Sequence, residues 1–223
     1  MASKTCVSIG VLSVAKLIAQ TKRALRRSDY AELRLDFLTP SQIPSCLNQA
    51  RPYLSRCICT VRPKSEGGKF QGSEQERISI LKLVAEYSPH LLDVEYNTLR
   101  RNKRLYQYLK KGRTNILVSW HDFASTPSEH TLRSMAKKMS IFSKNIKIVT
   151  TAKTIGDTLR VLNLYKGAKK ENLIAFAMGD YGRMSRILCT RLGSPFTYVS
   201  LGKPVAPGQF SLDEMKSIFQ LQK

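Results

Sequence analysis

One lysine of this sequence has surroundings that suit covalent chemistry. Lys147 lies midway along an apolar run, between Ile146 and Ile148. Removing a lysine from water lowers its pKa, and a neutral amine can attack a carbonyl carbon to form an imine. A buried salt bridge to Glu95 or Glu32 is the alternative, because an inward-facing lysine is costly unless a carboxylate compensates its charge. Spacing alone leaves both interpretations open.

His121 is the candidate for proton transfer. It ends a short apolar run and is followed at once by Asp122. Histidine exchanges protons near neutral pH, so beside an imine-forming lysine it would serve as general acid and base. Glu95, on a neighbouring predicted strand, is placed to orient the imidazole and hold its tautomer. A purely structural histidine is the alternative.

Two arginines and one charged strand suit the binding of a polar, anionic ligand. Arg62 and Arg186 carry the planar fork that binds a carboxylate through two hydrogen bonds, and a surface or salt-bridging arginine is the alternative for each. Glu32, Arg34 and Asp36 alternate with apolar residues, which in a strand places the three charges on one face. Such a face is costly inside a protein unless its charges pair or a ligand needs them.

Short β-rich runs alternate with longer amphipathic segments, and this order indicates which elements position these side chains. One amphipathic segment opens with Ser73 and Glu76, the spacing of a capping box. Helices are predicted at residues 12–27, 73–87, 98–111, 127–141, 153–167, 181–192 and 211–222, with a weaker, proline-containing pattern at 40–54. Strands are predicted at residues 5–11, 30–37, 56–62, 91–96, 115–121, 145–151, 172–178 and 195–201.

Eight strands, each followed by a helix, predict parallel pairing through right-handed crossovers. A closed barrel and an open doubly wound sheet both satisfy this order. No strand is followed by a Gly-x-Gly-x-x-Gly motif, and the count of eight favours the barrel. A length of 223 residues suits one such barrel, so we predict a single (β/α)8 TIM barrel domain over residues 1–223. Catalytic residues of barrels lie at the carboxyl ends of strands and in the loops after them, and the candidates named above fall within or after the predicted strands.

The chain is strongly basic, with 37 Lys and Arg against 16 Asp and Glu and a formal net charge of +21. Charge of this size invites a nucleic-acid interpretation. The positive residues are nevertheless scattered, and no helix-turn-helix, zinc-finger or RNA-binding aromatic signature accompanies them. We interpret them as a solvated basic surface. Steering of an anionic substrate and a non-enzymatic nucleic-acid-binding module remain as alternatives.

The cysteine pattern and the N-terminal residues bear on location. The five cysteines match no zinc-binding spacing, and Cys57 and Cys59 fall in an apolar run, so small buried side chains are expected rather than a thiol pair. No metal site is predicted. The N-terminal residues lack the features of a secretion signal, and no apolar run is long enough to span a membrane, so a cytoplasmic location is expected by default.

Taken in order, the motifs at the predicted strand ends resemble those of the type I 3-dehydroquinate dehydratases of the shikimate pathway. Each fragment is weak by itself, but seven fragments in order along the whole chain are specific. They are Glu32-Leu33-Arg34-Leu35-Asp36, Thr60-Val61-Arg62-Pro63 with Glu66-Gly67-Gly68, Asp93-Val94-Glu95, Ser119-Trp120-His121-Asp122-Phe123, Lys147-Ile148, Ser185-Arg186, and Ala206-Pro207-Gly208-Gln209.

The resemblance implies a fold, a reaction and a role for each of these positions. The family is a (β/α)8 barrel, commonly a homodimer, that needs no metal or organic cofactor and acts in chorismate and aromatic amino-acid biosynthesis. It is a lyase that converts 3-dehydroquinate to 3-dehydroshikimate and water through a Schiff base. The implied roles are Schiff-base lysine for Lys147, proton transfer for His121 with support from Glu95, substrate hydroxyls and pocket framework for Glu32, Arg34 and Arg62, the substrate carboxylate for Arg186, and a closing loop for Gln209.

One position departs from the family pattern. Many members have serine where this chain has Val205, which lacks the hydroxyl that would donate a hydrogen bond to substrate, whereas the same reaction is expected. A class I aldolase, another imine-forming barrel, is the alternative enzyme. Its phosphate site would fall at the Gly179–Gly182 turn, but the motifs around His121 and Gln209 fit it less well.

Overall fold

The computed structural model describes residues 3–168, 170–202 and 208–221. Within these residues there are eight strands: β1 Thr5–Ile9, β2 Tyr30–Arg34, β3 Cys57–Thr60, β4 Leu91–Glu95, β5 Ile116–His121, β6 Asn145–Thr151, β7 Asn172–Met178 and β8 Thr197–Val199. They form one sheet in the order β7-β6-β5-β4-β3-β2-β1-β8, in which the pairs β1–β8, β2–β3, β3–β4 and β6–β7 are parallel. This is the predicted (β/α)8 fold.

Helices follow the strands, and short 3-10 turns extend several connections. The 3-10 turns span Leu35–Phe37, Pro40–Gln42, Arg51–Arg56, Lys64–Glu66 and Asn163–Lys166. The α-helices are α1 Val14–Leu25, α2 Ile43–Ala50, α3 Glu74–Glu86, α4 Tyr96–Arg101, α5 Lys103–Lys111, α6 Glu129–Ser140, α7 Ile155–Leu162, α8 Arg183–Arg191 and α9 Leu212–Gln220.

Several predicted boundaries differ from the structure, for local reasons. Strand β2 ends at Arg34, because the next three residues form a 3-10 turn, so Asp36 does not extend the strand face as predicted. The single helix expected at 98–111 is two helices. They meet at Asn102, which leaves the helical conformation and accepts a hydrogen bond from the Leu105 amide at 2.8 Å, capping α5.

The predicted capping box at the start of α3 is present in its serine half, since Ser73 Oγ accepts a hydrogen bond from the Glu76 amide at 3.1 Å. Complete boxes, in which both reciprocal bonds form, open α7 and α9 instead. The pairs are Thr154 with Asp157 and Ser211 with Glu214. In both helices these bonds satisfy amide groups that the first helical turn leaves without backbone partners.

The chain divides into two compact units. The first, called here the N-terminal unit, is Ser8–Leu117, and the second, the C-terminal unit, is Met1–Val7 with Val118–Lys223. Leu33, Ile58 and Leu92 lie in the core of the N-terminal unit, each fully buried on a strand. In the C-terminal unit β6 and β7 pair along their whole length.

The five cysteines are all free and buried, as predicted. Cys57 Sγ donates a hydrogen bond to the Tyr53 carbonyl at 3.1 Å, and burial raises the pKa of the Cys59 thiol well above its ordinary value. Both therefore act as small core side chains. Among the residues described, none of the helices is both long and apolar enough to cross a membrane.

Candidate active site

Glu32 is held by hydroxyl groups from the two flanking strands. Its side chain is buried on β2, where Ser8 of β1 donates to Oε2 at 2.5 Å and Thr60 of β3 donates to Oε1 at 2.9 Å. The two hydroxyl donors fix the orientation of the carboxyl group. This geometry suits an acceptor for substrate hydroxyls.

Arg34 forms a two-pronged ion pair with Asp36. The Nε–Oδ1 and Nη2–Oδ2 distances are 2.8 and 2.7 Å, and Asp36 also accepts a hydrogen bond from the Lys69 amide at 3.0 Å. Although desolvation by burial lowers it, the hydrogen bond and charge of Asp36 raise the pKa of Arg34 above its ordinary value. Arg34 and Asp36 therefore lie close together, but a 3-10 turn and not the predicted strand alternation produces this contact.

Arg62 lies between two carboxylates of β4. Its Nη2 is 2.7 Å from Asp93 Oδ2, and its Nη1 is 2.6 Å from Glu95 Oε1. All three side chains are at most 4% exposed. Desolvation opposes the charged form, but the charges of Asp93 and Glu95 outweigh it and raise the pKa of Arg62. Arg62 is thus a fixed, fully charged group within this cluster.

Arg77, to which the sequence interpretation assigned no role, occupies the other side of Glu95. It lies on α3, is 1% exposed, and its Nη1 donates to Glu95 Oε2 at 2.7 Å. Both oxygens of Glu95 therefore accept from arginines, one from Arg62 and one from Arg77. Its position in the sequence was the available signal: Arg77 is next to Ile78 and three residues before Ile80, which places it on the buried face of α3.

Glu66 belongs to the Glu66-Gly67-Gly68 motif, but the sequence predicted no role for its side chain. Desolvation by burial, followed by the charge of Glu95, raises the pKa of its carboxyl to about 7. A carboxyl that titrates near neutral pH can exchange protons under working conditions. Glu66 is therefore a further ionisable candidate beside Arg62 and Glu95.

In the C-terminal unit, Lys147 lies midway along β6 and is 6% exposed. Its Nζ lies 4.3 Å from the ring centroid of Tyr198, on β8. The Tyr198 ring contacts the rings of Phe176 and Phe196 at centroid distances of 6.2 and 5.4 Å. An aromatic wall therefore flanks the amine, as expected for a lysine with little access to water.

Arg186 lies at the other end of this wall. It is 1% exposed on the first turn of α8, and its Cζ lies 4.3 Å from the ring centroid of Phe176. Desolvation lowers the pKa of its guanidinium to about 10. Ser185 connects α8 to β7, because its Oγ accepts from the Ala177 amide at 2.8 Å and donates to the Gly182 carbonyl at 2.5 Å. These bonds fix the helix turn that carries the arginine.

His121 ends β5 and is half-buried, and its ring stacks on Phe123 at a centroid distance of 5.8 Å. The loop that follows is fixed to β6, since the Asp122 amide donates to the Val149 carbonyl at 2.9 Å and Asp122 Oδ1 accepts from the amide of Ser125. The imidazole therefore stands at the carboxyl end of its strand, as the sequence predicted.

Gln209 is buried, at 6% exposure, directly after Gly208, whose φ of +71° is a conformation that favours glycine. The adjacent Phe210 lies under the guanidinium of Arg183, 4.6 Å from its ring centroid. Val205, where the sequence departs from the family pattern, lies outside the described residues. The part of the chain that the structure covers also holds no cluster of three or more His, Cys, Asp or Glu side chains arranged for a metal ion.

The protein has a (β/α)8 fold with charged side chains on its strands. These two features define its class of protein. Residues 5–223 match the family model described as type I 3-dehydroquinase. The 3-dehydroquinate dehydratase of Dehalococcoides mccartyi strain 195 is 40% identical over 205 residues, covering 88% of this chain and 89% of the relative. That of Methanocaldococcus jannaschii is 32% identical over 222 residues, covering 97% of each. The chain therefore belongs to the type I 3-dehydroquinase family, a family of hydro-lyases.

Solved structures agree on the fold. The 3-dehydroquinate dehydratase of Geobacillus kaustophilus superposes with a TM-score of 0.90 at 22% identity, over 98% of this chain and 90% of that one. A deoxyribose phosphate aldolase from Aeropyrum pernix reaches 0.59 at 13% identity, over 97% and 90%. Likeness to the aldolase is limited to the fold. The expectation of an enzyme of the dehydroquinase family is confirmed.

Proposed function

We propose that this chain dehydrates 3-dehydroquinate to 3-dehydroshikimate through an imine on Lys147, in the route to chorismate and the aromatic amino acids. The observation that carries the proposal is the position of Lys147, buried midway along β6 against the ring of Tyr198. Membership of the dehydroquinase family supports the substrate. Residues 1–223 are proposed to act as one domain.

The chemistry follows from the properties of an imine. Lys147 Nζ attacks the C3 carbonyl carbon of the substrate, and loss of water leaves a protonated imine. The imine withdraws electrons from C2, so His121 can remove a C2 proton and leave an enamine. The enamine expels the C1 hydroxyl, which takes a proton from His121 and departs as water. Hydrolysis of the imine then frees the product and restores the lysine.

The remaining residues bind and orient. Arg186, buried and charged at neutral pH, is proposed to bind the substrate carboxylate. Glu32, Arg34 and Arg62 bind hydroxyls and form the framework of the pocket, and Gln209 closes over the substrate. Glu95 is proposed to support His121. Because the imine itself serves as the electron sink, the proposed reaction needs neither a metal nor an organic cofactor.

Reductive trapping tests the imine directly. Treatment with borohydride during turnover should leave a stable substrate-derived adduct, and peptide mass spectrometry should place it on Lys147. Lys147→Ala should lose both the adduct and the activity, whereas Lys144→Ala, an exposed lysine three residues earlier, should keep both. His121→Ala should bind substrate but lose turnover. An adduct on another residue, or none in an active preparation, contradicts the assignment.

Competing activities are separated by two assays. Formation of a conjugated enone, followed by ultraviolet absorbance, reports dehydration, whereas an aldolase would release a carbonyl fragment instead. Nucleic-acid binding would show an affinity that falls steeply with salt. Dehydration without such an affinity is the expected result, with the net charge of +21 spread over a solvated surface.

A homodimer is also proposed, with the neighbouring helices α7 and α8 as its contact surface. Large apolar side chains are exposed there at helical spacing: Ile155 and Leu159 are 67% and 55% exposed, and Met184 and Leu188 are 54% and 38% exposed. A twofold axis would bury such a patch against its own copy. Light scattering should give the mass of two chains, and Leu159→Glu should give that of one. Ile141→Glu, at a separate exposed position, is the control.

We propose a cytoplasmic location on the evidence of the thiols. Five free cysteines persist in a reducing compartment and would be exposed to disulfide formation in an oxidising one. Fractionation of the native host, followed by detection of the chain, tests this.

A further inference from the structure

A cluster of four buried charges lies in the N-terminal unit: Arg62, Arg77, Asp93 and Glu95. We propose that Arg77 is a positioning residue, which holds Glu95 and through it sets the orientation of the substrate-binding Arg62. The proposal deepens the proposed function, because it rests on the assignment of Arg62 to substrate binding.

Arg77 connects three elements through a single guanidinium. Its Nη1 donates to the Val61 carbonyl at 3.0 Å, at the end of β3, and to Glu95 Oε2 at 2.7 Å, at the end of β4. Its Nη2 donates to Thr98 Oγ1 at 2.6 Å, on α4. Nε and Nη2 also form a fork with the two carboxylate oxygens of Glu74, at 2.8 Å each. The planar guanidinium therefore has no freedom to rotate without breaking several bonds.

Stability alone does not account for an arginine at this position. The face of α3 that carries Arg77 also buries Ile80, Leu81 and Val84, so an apolar residue would continue the pattern. Buried ion pairs contribute little net stability, because desolvation of both partners offsets their attraction, and apolar replacements of whole pairs are often neutral or stabilising. What an apolar residue cannot supply is a donor at Glu95 Oε2.

That donor determines what Glu95 can offer Arg62. The carboxylate is planar, so fixing Oε2 against Arg77 also fixes Oε1, which accepts from Arg62 Nη1 at 2.6 Å. Arg77 also supplies a positive charge that balances the carboxylate pair of Asp93 and Glu95. Without Arg77, Glu95 would turn toward its remaining cation, Arg62, and pull that guanidinium from the position in which it meets the substrate.

The test compares Arg77→Met with Thr98→Val and Arg77→Lys in the full-length enzyme. Arg77→Met removes the guanidinium that donates to Glu95 Oε2. Thr98→Val removes a hydroxyl that accepts from Arg77 and donates to Glu95 Oε2 at 3.3 Å. Arg77→Lys keeps the positive charge without the planar fork. Arg77→Met should raise KM by about tenfold, because Arg62 would lose its positioned contact to substrate. Thr98→Val and Arg77→Lys, with milder losses, should raise KM by about threefold.

Arg133→Met is the control. Nε and Nη2 of Arg133, on α6, both donate to Glu129 Oε1, and Nη2 also donates to the backbone carbonyl of Asn163, but this arginine lies outside the cluster. A purely structural role would lower the folded, active fraction, and with it kcat, while leaving KM unchanged. KM within twofold of the wild type in folded Arg77→Met and Thr98→Val overturns the proposal. If Arg77→Met does not fold, Thr98→Val and Arg77→Lys decide alone. An inactive wild type would instead contradict the proposed function.

Discussion

Replacing Arg186 with methionine should make the protein more stable and its substrate binding much weaker. Arg186 carries a positive charge that is buried against the ring of Phe176. Desolvation lowers the pKa of Arg186 from its ordinary value to about 10. At pH 7 the group is protonated in both the folded and the unfolded chain, so the lowered pKa measures how much less favourable the charged form is after folding. That penalty is constant at neutral pH and is relieved only as pH rises above about 10.

The lowered pKa of Arg186 gives the free-energy cost of burying its charge. A tenfold change in the acid dissociation constant corresponds to about 1.4 kcal/mol, so this cost is about 3 kcal/mol. The guanidinium recovers part of it by lying 4.3 Å from the Phe176 ring centroid, which is worth about 1–2 kcal/mol when desolvated. Methionine has similar length and no charge, so Arg186→Met should raise the free energy of unfolding by about 1–2 kcal/mol. Substrate binding loses a buried ion pair, about 2–5 kcal/mol, or a rise of at least about 30-fold in KM.

Urea unfolding at pH 7 gives the stability, and initial rates of enone formation give KM. Arg191→Met, on the last turn of the same helix and exposed, is the control and should change neither quantity appreciably. A variant of Arg186 that is markedly less stable than the wild type would show that the protein itself compensates the charge. A variant with unchanged KM would show that the substrate carboxylate binds elsewhere.

Two further predictions concern the loop after β3. Because the pKa of Glu66 is raised to about 7, its contribution to stability is complete below about pH 4.5 and is lost as pH rises through about 7. Glu66→Gln should remove about 2 kcal/mol of this pH dependence, after a discount for partial exposure. If the free energy of unfolding in urea changes equally with pH in the wild type and the variant from pH 5 to 8, the prediction is wrong. Gly68→Ala would place a Cβ 1.9 Å from the Arg62 carbonyl, so it should cost about 1–3 kcal/mol of stability and raise KM, whereas Gly202→Ala, with open space around it, should be neutral in both assays.

The fold was predictable because its strands are apolar runs with clear polar ends. Strands β6 and β7 begin and end at the predicted residues, Asn145–Thr151 and Asn172–Met178. The break at Asn102 was not predictable, because apolar residues continue at helical spacing on both sides of it, and only the side-chain cap distinguishes two helices from one. Likewise, alternation that continues through Asp36 looks the same in a strand and in a strand followed by a 3-10 turn.

The site was predictable where motif order carried the information and not where burial did. Lys147 and Arg186 were identified by position, and the structure shows both buried. Arg77 was missed because an isolated arginine in a helix is usually exposed, and its burial depends on partners up to 21 residues away along the chain. The raised pKa of Glu66 depends on burial and on Glu95, which no local spacing shows.

Arg62 and Arg186, two of the three arginines proposed to bind the ligand, differ in how their charge is balanced, and that difference decides how each can act. Arg62 is paired with Asp93 and Glu95, which raise its pKa, so it is compensated before substrate arrives and gains little from a further anion. It therefore suits orientation of neutral hydroxyls. Arg186 is desolvated against Phe176 with its pKa lowered, so a bound carboxylate returns much of what burial removed. Binding energy for the anion should thus come chiefly from Arg186. Substitution of Arg62 should reduce stability and binding together, because it leaves two buried carboxylates without their shared cation.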